Sequence, residues 1–263
     1  MADPVNAIQV ENLVTHYGDR QILKSINLSV HEGEVMVIMG GSGSGKSTLL
    51  RYILGLEQPS SGHIYCMGDD ITQMTPMEMY YMRQKMGVSF QGGALFGSMT
   101  IGENVRLPLR EHTKLDENTM KIISRMKLEL VNMADFEDLM PSELSGGMLK
   151  RAALARAIVM DPPLLFFDEP SAGLDPVTSA ELDNLIIRLR DVMKMTIIIV
   201  THELDSAFTV ADRIVVLDQG EMLICGTVDE VKNCKIQRVQ DLLNRRARND
   251  EVDGDIYLDR LTT

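Results

Sequence analysis

The chain has 263 residues, 44% hydrophobic and 24% charged, a balance that suits a folded protein built as one large domain or two modest ones. Lys+Arg 26 against Asp+Glu 38 leaves a net charge of −12, which argues against nucleic-acid phosphate as the main partner. Cys66, Cys225 and Cys234 are widely spaced with no C-x-x-C pair, so they indicate neither zinc nor a disulfide framework and fit a reducing compartment.

The N-terminus, MADPVNAIQVEN, lacks the basic start and apolar core of a secretory signal. Residues 8 to 35 and 62 to 71 carry short strand-like segments and predict a small antiparallel lobe. Val35 to Met39 (VMVIM) is a continuous apolar run, as in a strand buried on both faces. A glycine-rich loop follows, and Ser47 to Leu54 then has helical character and stops at Gly55. Thr75-Pro76-Met77-Glu78 is a capping box with proline at the first helical position. Residues 117 to 133 and Gly147 to Met160 predict helices, and about 92 to 160 reads as a helical insertion in an α/β core. Leu164 to Phe167 and Thr196 to Val200 predict two more buried strands, with a helix opened by Asp175-Pro176 between them. Ile214 to Leu217, the Gln219-Gly220 turn and Glu221 to Ile224 predict a closing hairpin. Arg245-Arg246-Ala247-Arg248 reads as a solvated helix end, and the stretch after it, 249 to 263, as an acidic tail. The longest apolar runs are strand-sized and cannot cross a bilayer, so any membrane span must come from another polypeptide. Strands alternating with helices predict a mainly parallel α/β fold.

Two places carry chemistry. Gly40 to Ser47 (GGSGSGKS) is a G-x-x-x-x-G-K-[ST] string between a strand and a helix. Its glycines let backbone N–H groups approach phosphates, and the helix that follows turns its positive end to the same anion. Lys46 suits the β/γ-phosphates, and the Ser47 hydroxyl suits Mg²⁺. Asp168 and Glu169 end the strand LLFF, where α/β sheets bind ligands. Asp168 suits the Mg²⁺ shell, and Glu169 suits a general base or a group that positions water.

The strings GGSGSGKST, FQGGALF, LSGGM, LLFFDEP, SAGLD and TIIIVTH occur in the order and rough spacing of ABC transporter ATP-binding subunits. The resemblance spans about residues 8 to 235. It implies a P-loop NTPase core with an N-terminal antiparallel β lobe and a helical insertion, forming one cassette over 1–248 with the tail at 249–263. It implies ATP and Mg²⁺ as ligands, held by Gly40, Gly41, Ser42, Gly43, Ser44, Gly45, Lys46, Ser47 and Thr48. Tyr17 would stack on adenine. Gln91 would sense Mg²⁺ and the lytic water, beside the metal ligands Ser47 and Asp168. Glu169 and His202 would complete the catalytic set. Ser145, Gly146 and Gly147 would hold the γ-phosphate of ATP bound to a second copy of the chain, and Asp175 would shape the dimer seam.

Met148 stands where most relatives have glutamine, and Gly173 extends the SAGLD loop. With FQGGALF and LPLREHT, these variants resemble the ATPase branch of the Mla (maintenance of lipid asymmetry) systems. That branch implies phospholipid transport at the cytoplasmic face of the inner membrane. It also implies a permease, a STAS-domain regulatory protein and a lipid-binding subunit on separate chains, and no nucleic acid. Three alternatives remain: an amino-acid or small-solute importer, a soluble ABC ATPase acting on DNA or ribosomes, and a P-loop kinase.

Overall fold

Two long strands, β1 (Asn6–Tyr17) and β2 (Arg20–His31), open a computed structural model that describes residues 5–246. They are longer than the short segments expected, because register shifts interrupt their alternation near Asn12 and Ser25, both at positive φ. Strand β3 (Val35–Gly40) leads through the glycine-rich loop into α1 (Lys46–Ile53). Strands β4 (Ser61–Cys66) and β5 (Asp69–Asp70) return to the lobe and complete a four-stranded antiparallel sheet in the order β2-β1-β4-β5.

Helix α2 (Pro76–Arg83) starts on the capping box: the Thr75 hydroxyl accepts from the Glu78 N–H and the Glu78 carboxylate accepts from the Thr75 N–H. Strand β6 (Met86–Ser89) follows, then α3 (Ile101–His112), α4 (Glu117–Leu130) and α5 (Gly146–Ala157). The chain re-enters the sheet as β7 (Leu164–Asp168), crosses by α6 (Pro176–Met193) to β8 (Thr196–Thr201), and continues through α7 (Leu204–Val210) to β9 (Arg213–Asp218). Strand β10 (Glu221–Thr227) closes the hairpin, and α8 (Val228–Lys232) and α9 (Gln237–Leu243) end the described chain. Residues 249 to 263, with the apolar trio Ile256, Tyr257 and Leu258, lie outside it.

The second sheet has six strands in the order β10-β9-β3-β8-β7-β6, parallel except for β10. Its central strands feed two cores at once. In β3, Val35, Val37 and Met39 face a core shared with helices α3 to α7, while Met36 and Ile38 face one shared with α1, α2 and the antiparallel lobe. Leu165 and Phe167 of β7 face the first core, and Leu164 and Phe166 face the second. Burial on both faces is why these strands are continuous apolar runs. The plate they form ends in Gly40, Asp168 and Thr201 along one edge, where parallel strands present their carboxyl ends to a ligand. Among the described residues, no helix is long and apolar enough to cross a membrane.

Candidate active site

The glycine-rich loop is shaped by three distant parts of the chain. At Gly40, with φ 156°, a Cβ would sit 2.3 Å from the Leu217 carbonyl oxygen of β9. At Gly45, with φ 105°, it would sit 2.6 Å from the Leu23 side chain of β2. Only glycine fits either backbone. The Gly220 N–H, in the turn between β9 and β10, donates to the Ser44 carbonyl at 3.0 Å, and the Gly220 carbonyl accepts from the Lys24 N–H at 2.7 Å. The Lys46 ammonium folds back over the loop, donating to the carbonyls of Gly40 at 2.9 Å and Gly41 at 3.0 Å. Burial lowers its pKa, against the pull of Glu169 and Asp168.

Glu169, one residue past β7, adopts φ 51°, a left-handed conformation rare for a side-chain-bearing residue. The surroundings hold it there. Its N–H donates to the Val200 carbonyl at 2.8 Å, and its carboxylate accepts from the Thr201 hydroxyl at 3.1 Å and the His202 N–H at 3.3 Å. Nδ1 of His202 lies 2.8 Å from Glu169 Oε1. The carboxylate is buried, whereas the imidazole is exposed. Burial raises the pKa of the neighbouring Asp168 and the Glu169 charge raises it further, with Lys46 and Lys150 opposing.

These groups share one cleft of about 860 Å³. Gly40, Gly41, Ser42, Gly43, Lys46 and Ser47 line it together with Gln91, Asp168, Glu169 and His202. Ser44 and Gly45 lie beneath the loop, and Thr48 is part of α1. Tyr17 is half exposed at the end of β1, outside the lining, with its hydroxyl 3.2 Å from Glu57 Oε2. Ser145, Gly146, Gly147 and Asp175 also lie outside the lining. They form the starts of α5 and α6, where Ser145 caps α5 by accepting from the Met148 N–H and Asp175 caps α6 by accepting from the N–H groups of Val177 and Thr178. These two starts touch: a Cβ on Gly147 would meet Thr178 Cγ2 at 2.5 Å.

The donor set fits a nucleotide triphosphate. Helix α1 has no side-chain cap and no acid in its first turn, so its terminal N–H groups await an outside acceptor. Among the described residues the buried Ser44 hydroxyl has no hydrogen-bond partner. Among the described residues no three His, Cys, Asp or Glu side chains converge on a point. The Ser47 hydroxyl and the Asp168 carboxylate share the cleft, a donor set that suits Mg²⁺, which is normally held by a carboxylate or two together with substrate phosphates.

Sequence reasoning passed over Thr201 and Lys150 and misplaced Arg245 and Arg246. Thr201 both bonds Glu169 and accepts from the Glu203 N–H at 3.0 Å, a role visible only once β7 and β8 are paired. Lys150 reaches two site carbonyls from α5. Arg245 and Arg246, read from sequence as a solvated helix end, are exposed just past α9 but line the cleft beside the phosphate loop.

Fold and cleft together are those of an ATP-hydrolysing P-loop protein, and residues 23–172 match the family model described as ABC transporter. The chain belongs to that family, as an ATP hydrolase that drives transport. Among its relatives, it is 42% identical over 238 residues to the intermembrane phospholipid transport system ATP-binding protein MlaF of Haemophilus influenzae, covering 90% of each chain. It is 41% identical over 240 residues to the probable ribonucleotide transport ATP-binding protein mkl of Mycobacterium leprae, covering 91% of this chain and 69% of that one. In structure it resembles the dimeric ATP-binding cassette MJ0796 in a post-hydrolysis state bound to ADP and Pi, with a TM-score of 0.77 and 30% identity over 84% of this chain and 98% of that one.

Proposed function

We propose that two copies of this chain close head to tail around two Mg·ATP and so power a permease that moves phospholipid. The observation that carries this reading is the separation of two anion-binding helix starts. Lys46, Asp168, Glu169 and His202 line one cleft, while Ser145, Gly146 and Gly147 open a second exposed helix start outside it. A second copy supplies the ligand that the second start lacks, and Asp175, beside it, shapes the seam between copies.

Gly40 through Thr48 cradle the phosphates, with Lys46 neutralising charge on the β/γ oxygens. Ser47, Asp168 and Gln91 would hold Mg²⁺, which would supply neutralising charge to the phosphates. Tyr17 offers an exposed ring to adenine. Glu169 orients the attacking water and takes up its proton; its bonds from Thr201 and His202 fix the carboxylate before substrate arrives. His202 reaches the γ-phosphate through the nitrogen not turned to Glu169.

The symmetric coverage of the MlaF relative favours phospholipid over ribonucleotide as cargo. Residues 1–248 form one cassette, and 249–263 lie outside the described residues. The chain sits at the cytoplasmic face of a bacterial inner membrane with a permease, a STAS-domain regulatory protein and a lipid-binding subunit. Purification from native membranes followed by mass spectrometry tests the assignment. Phospholipid and an integral permease should co-purify, and recovery of ribonucleotide or an amino-acid permease without phospholipid overturns it. Glu169→Gln with Mg·ATP should run as a dimer in sedimentation, and a monomer at saturating ATP defeats the sandwich.

A further inference from the structure

We propose that Lys150 is a positioning residue for hydrolysis, its ammonium tying the backbones of Gln91 and Glu169 together so that the placement of α5 sets the placement of the reacting carboxylate. The inference rests on the hydrolytic reading of Glu169 given above.

Lys150 lies on α5, just after the Ser145-Gly146-Gly147 start. Its Nζ donates to the Gln91 carbonyl and, at 3.0 Å, to the Glu169 carbonyl. One side chain thus joins three segments: helix α5, the loop after β6 and the loop after β7. The ammonium is not a solvated tip. Lys150 is half-buried, and burial lowers its pKa while the charges of Glu169 and Asp168 pull the other way.

The Glu169 carbonyl matters because of its backbone. A side-chain-bearing residue at φ 51° is strained and persists only where its surroundings over-determine it. Val200 holds the N–H, Thr201 and His202 hold the carboxylate, and Lys150 holds the carbonyl. Lys150 is the member of this set that belongs to a different layer. Further along the same helix, Arg156 donates to the carbonyls of Gly93 at 2.8 Å and Ala94 at 2.7 Å. Helix α5 therefore grips the Gln91 loop at two points, and Lys150 extends that grip to Glu169. A shift of α5 on assembly or permease movement changes where the carboxylate points, because a misplacement of about 1 Å at a reacting group costs rate out of proportion to binding.

The test is steady-state ATP hydrolysis by the full-length chain together with the membrane subunits that co-purify with it. Lys150→Met should lower kcat about tenfold with KM for ATP within about twofold, and Lys150→Arg, which can still donate to both carbonyls, should recover most of the loss. A purely structural lysine would lower the melting temperature and yield but leave kcat per folded enzyme intact. A kcat within about twofold of the parent in Lys150→Met overturns the proposal, and so does a kcat loss that arginine does not repair. If the methionine variant does not fold, Lys150→Gln is held to the same criteria. Glu169→Gln is assayed alongside. Turnover surviving in it defeats the reading of Glu169 and this inference with it, whereas a dead Glu169→Gln beside a parent-like Lys150→Met defeats the Lys150 inference alone.

Discussion

The two glycine-rich helix starts are built on opposite terms. The start of α1 has no side-chain cap, is pressed from three sides by β2, β9 and the Gly220 turn, and keeps its lysine folded over the loop. The start of α5 is capped by Ser145, stands exposed, and is touched within the chain chiefly by Thr178. One is a finished anion site lacking only its anion. The other has one N–H capped by Ser145 and faces outward. The difference teaches that glycine serves two purposes here. At Gly40 and Gly45 it permits a backbone that no other residue can adopt, and at Gly147 it permits two helices to approach.

The largest expected contrast is chemical. Lys46→Ala or Glu169→Gln should cut ATP turnover by about 10²–10³-fold or more, and substantial residual hydrolysis in both would break the mechanism. Ser145→Ala should leave nucleotide affinity of the isolated chain unchanged by equilibrium dialysis, while Lys46→Ala lowers it. Equal losses would erase the distinction between the two starts.

Next in size are the glycines. Gly40→Ala drives a Cβ into a backbone carbonyl and should cost about 3 kcal/mol or more in denaturant unfolding. Gly147→Ala meets only a methyl group and should cost about 1–2 kcal/mol. Adding Thr178→Ser, which removes that methyl but keeps the hydroxyl that bonds Asp175, should restore most of it. If Thr178→Ser does not help, the contact between the starts of α5 and α6 is not what limits position 147. Ser145→Ala should cost about 0.5–2 kcal/mol through loss of the cap.

The smallest effects concern charge. Hydrogen bonds from Thr178 and Val177 lower the Asp175 pKa below the usual carboxylate value. Its stabilising effect is then full above the unfolded carboxylate pKa and fades as pH falls through the lowered folded one. Asp175→Asn should flatten that part of the melting-temperature profile below pH 4, and an unchanged profile would show that the cap carries no charge dependence. Asp168 has the opposite sign, since burial and Glu169 raise its pKa and its ionised form is a cost to the empty fold. Asp168→Asn should therefore raise the melting temperature of the nucleotide-free chain while abolishing turnover; a lower melting temperature would contradict the stated balance of charges.

Sequence revealed what chemistry confines to contiguous strings. A phosphate loop must be a run of glycines before Lys46 and Ser47, and an acid pair at a strand end must follow an apolar run, so both could be read directly. The twofold burial of β3, β7 and β8 was legible for the same reason. Strand β6 was not, because Met86–Ser89 is four residues long with Gly87 in its middle and no alternation to register. The roles of Thr201 and Lys150 were not legible because Thr201 meets Glu169 across 32 residues and Lys150 meets Gln91 across 59, and the place of Arg245 and Arg246 in the cleft shows only in the closed fold.

Gly220 ties the phosphate loop to the antiparallel lobe from the far end of the chain. A ribosome making about 5–20 residues per second takes on the order of ten to forty seconds to travel from Gly40 to Gly220. During that interval the loop lacks the carbonyl of Leu217 beneath it and the turn that holds Ser44. The shape of the phosphate loop therefore depends on a turn made well after the loop itself, and a copy truncated before β10 should bind nucleotide more weakly by equilibrium dialysis.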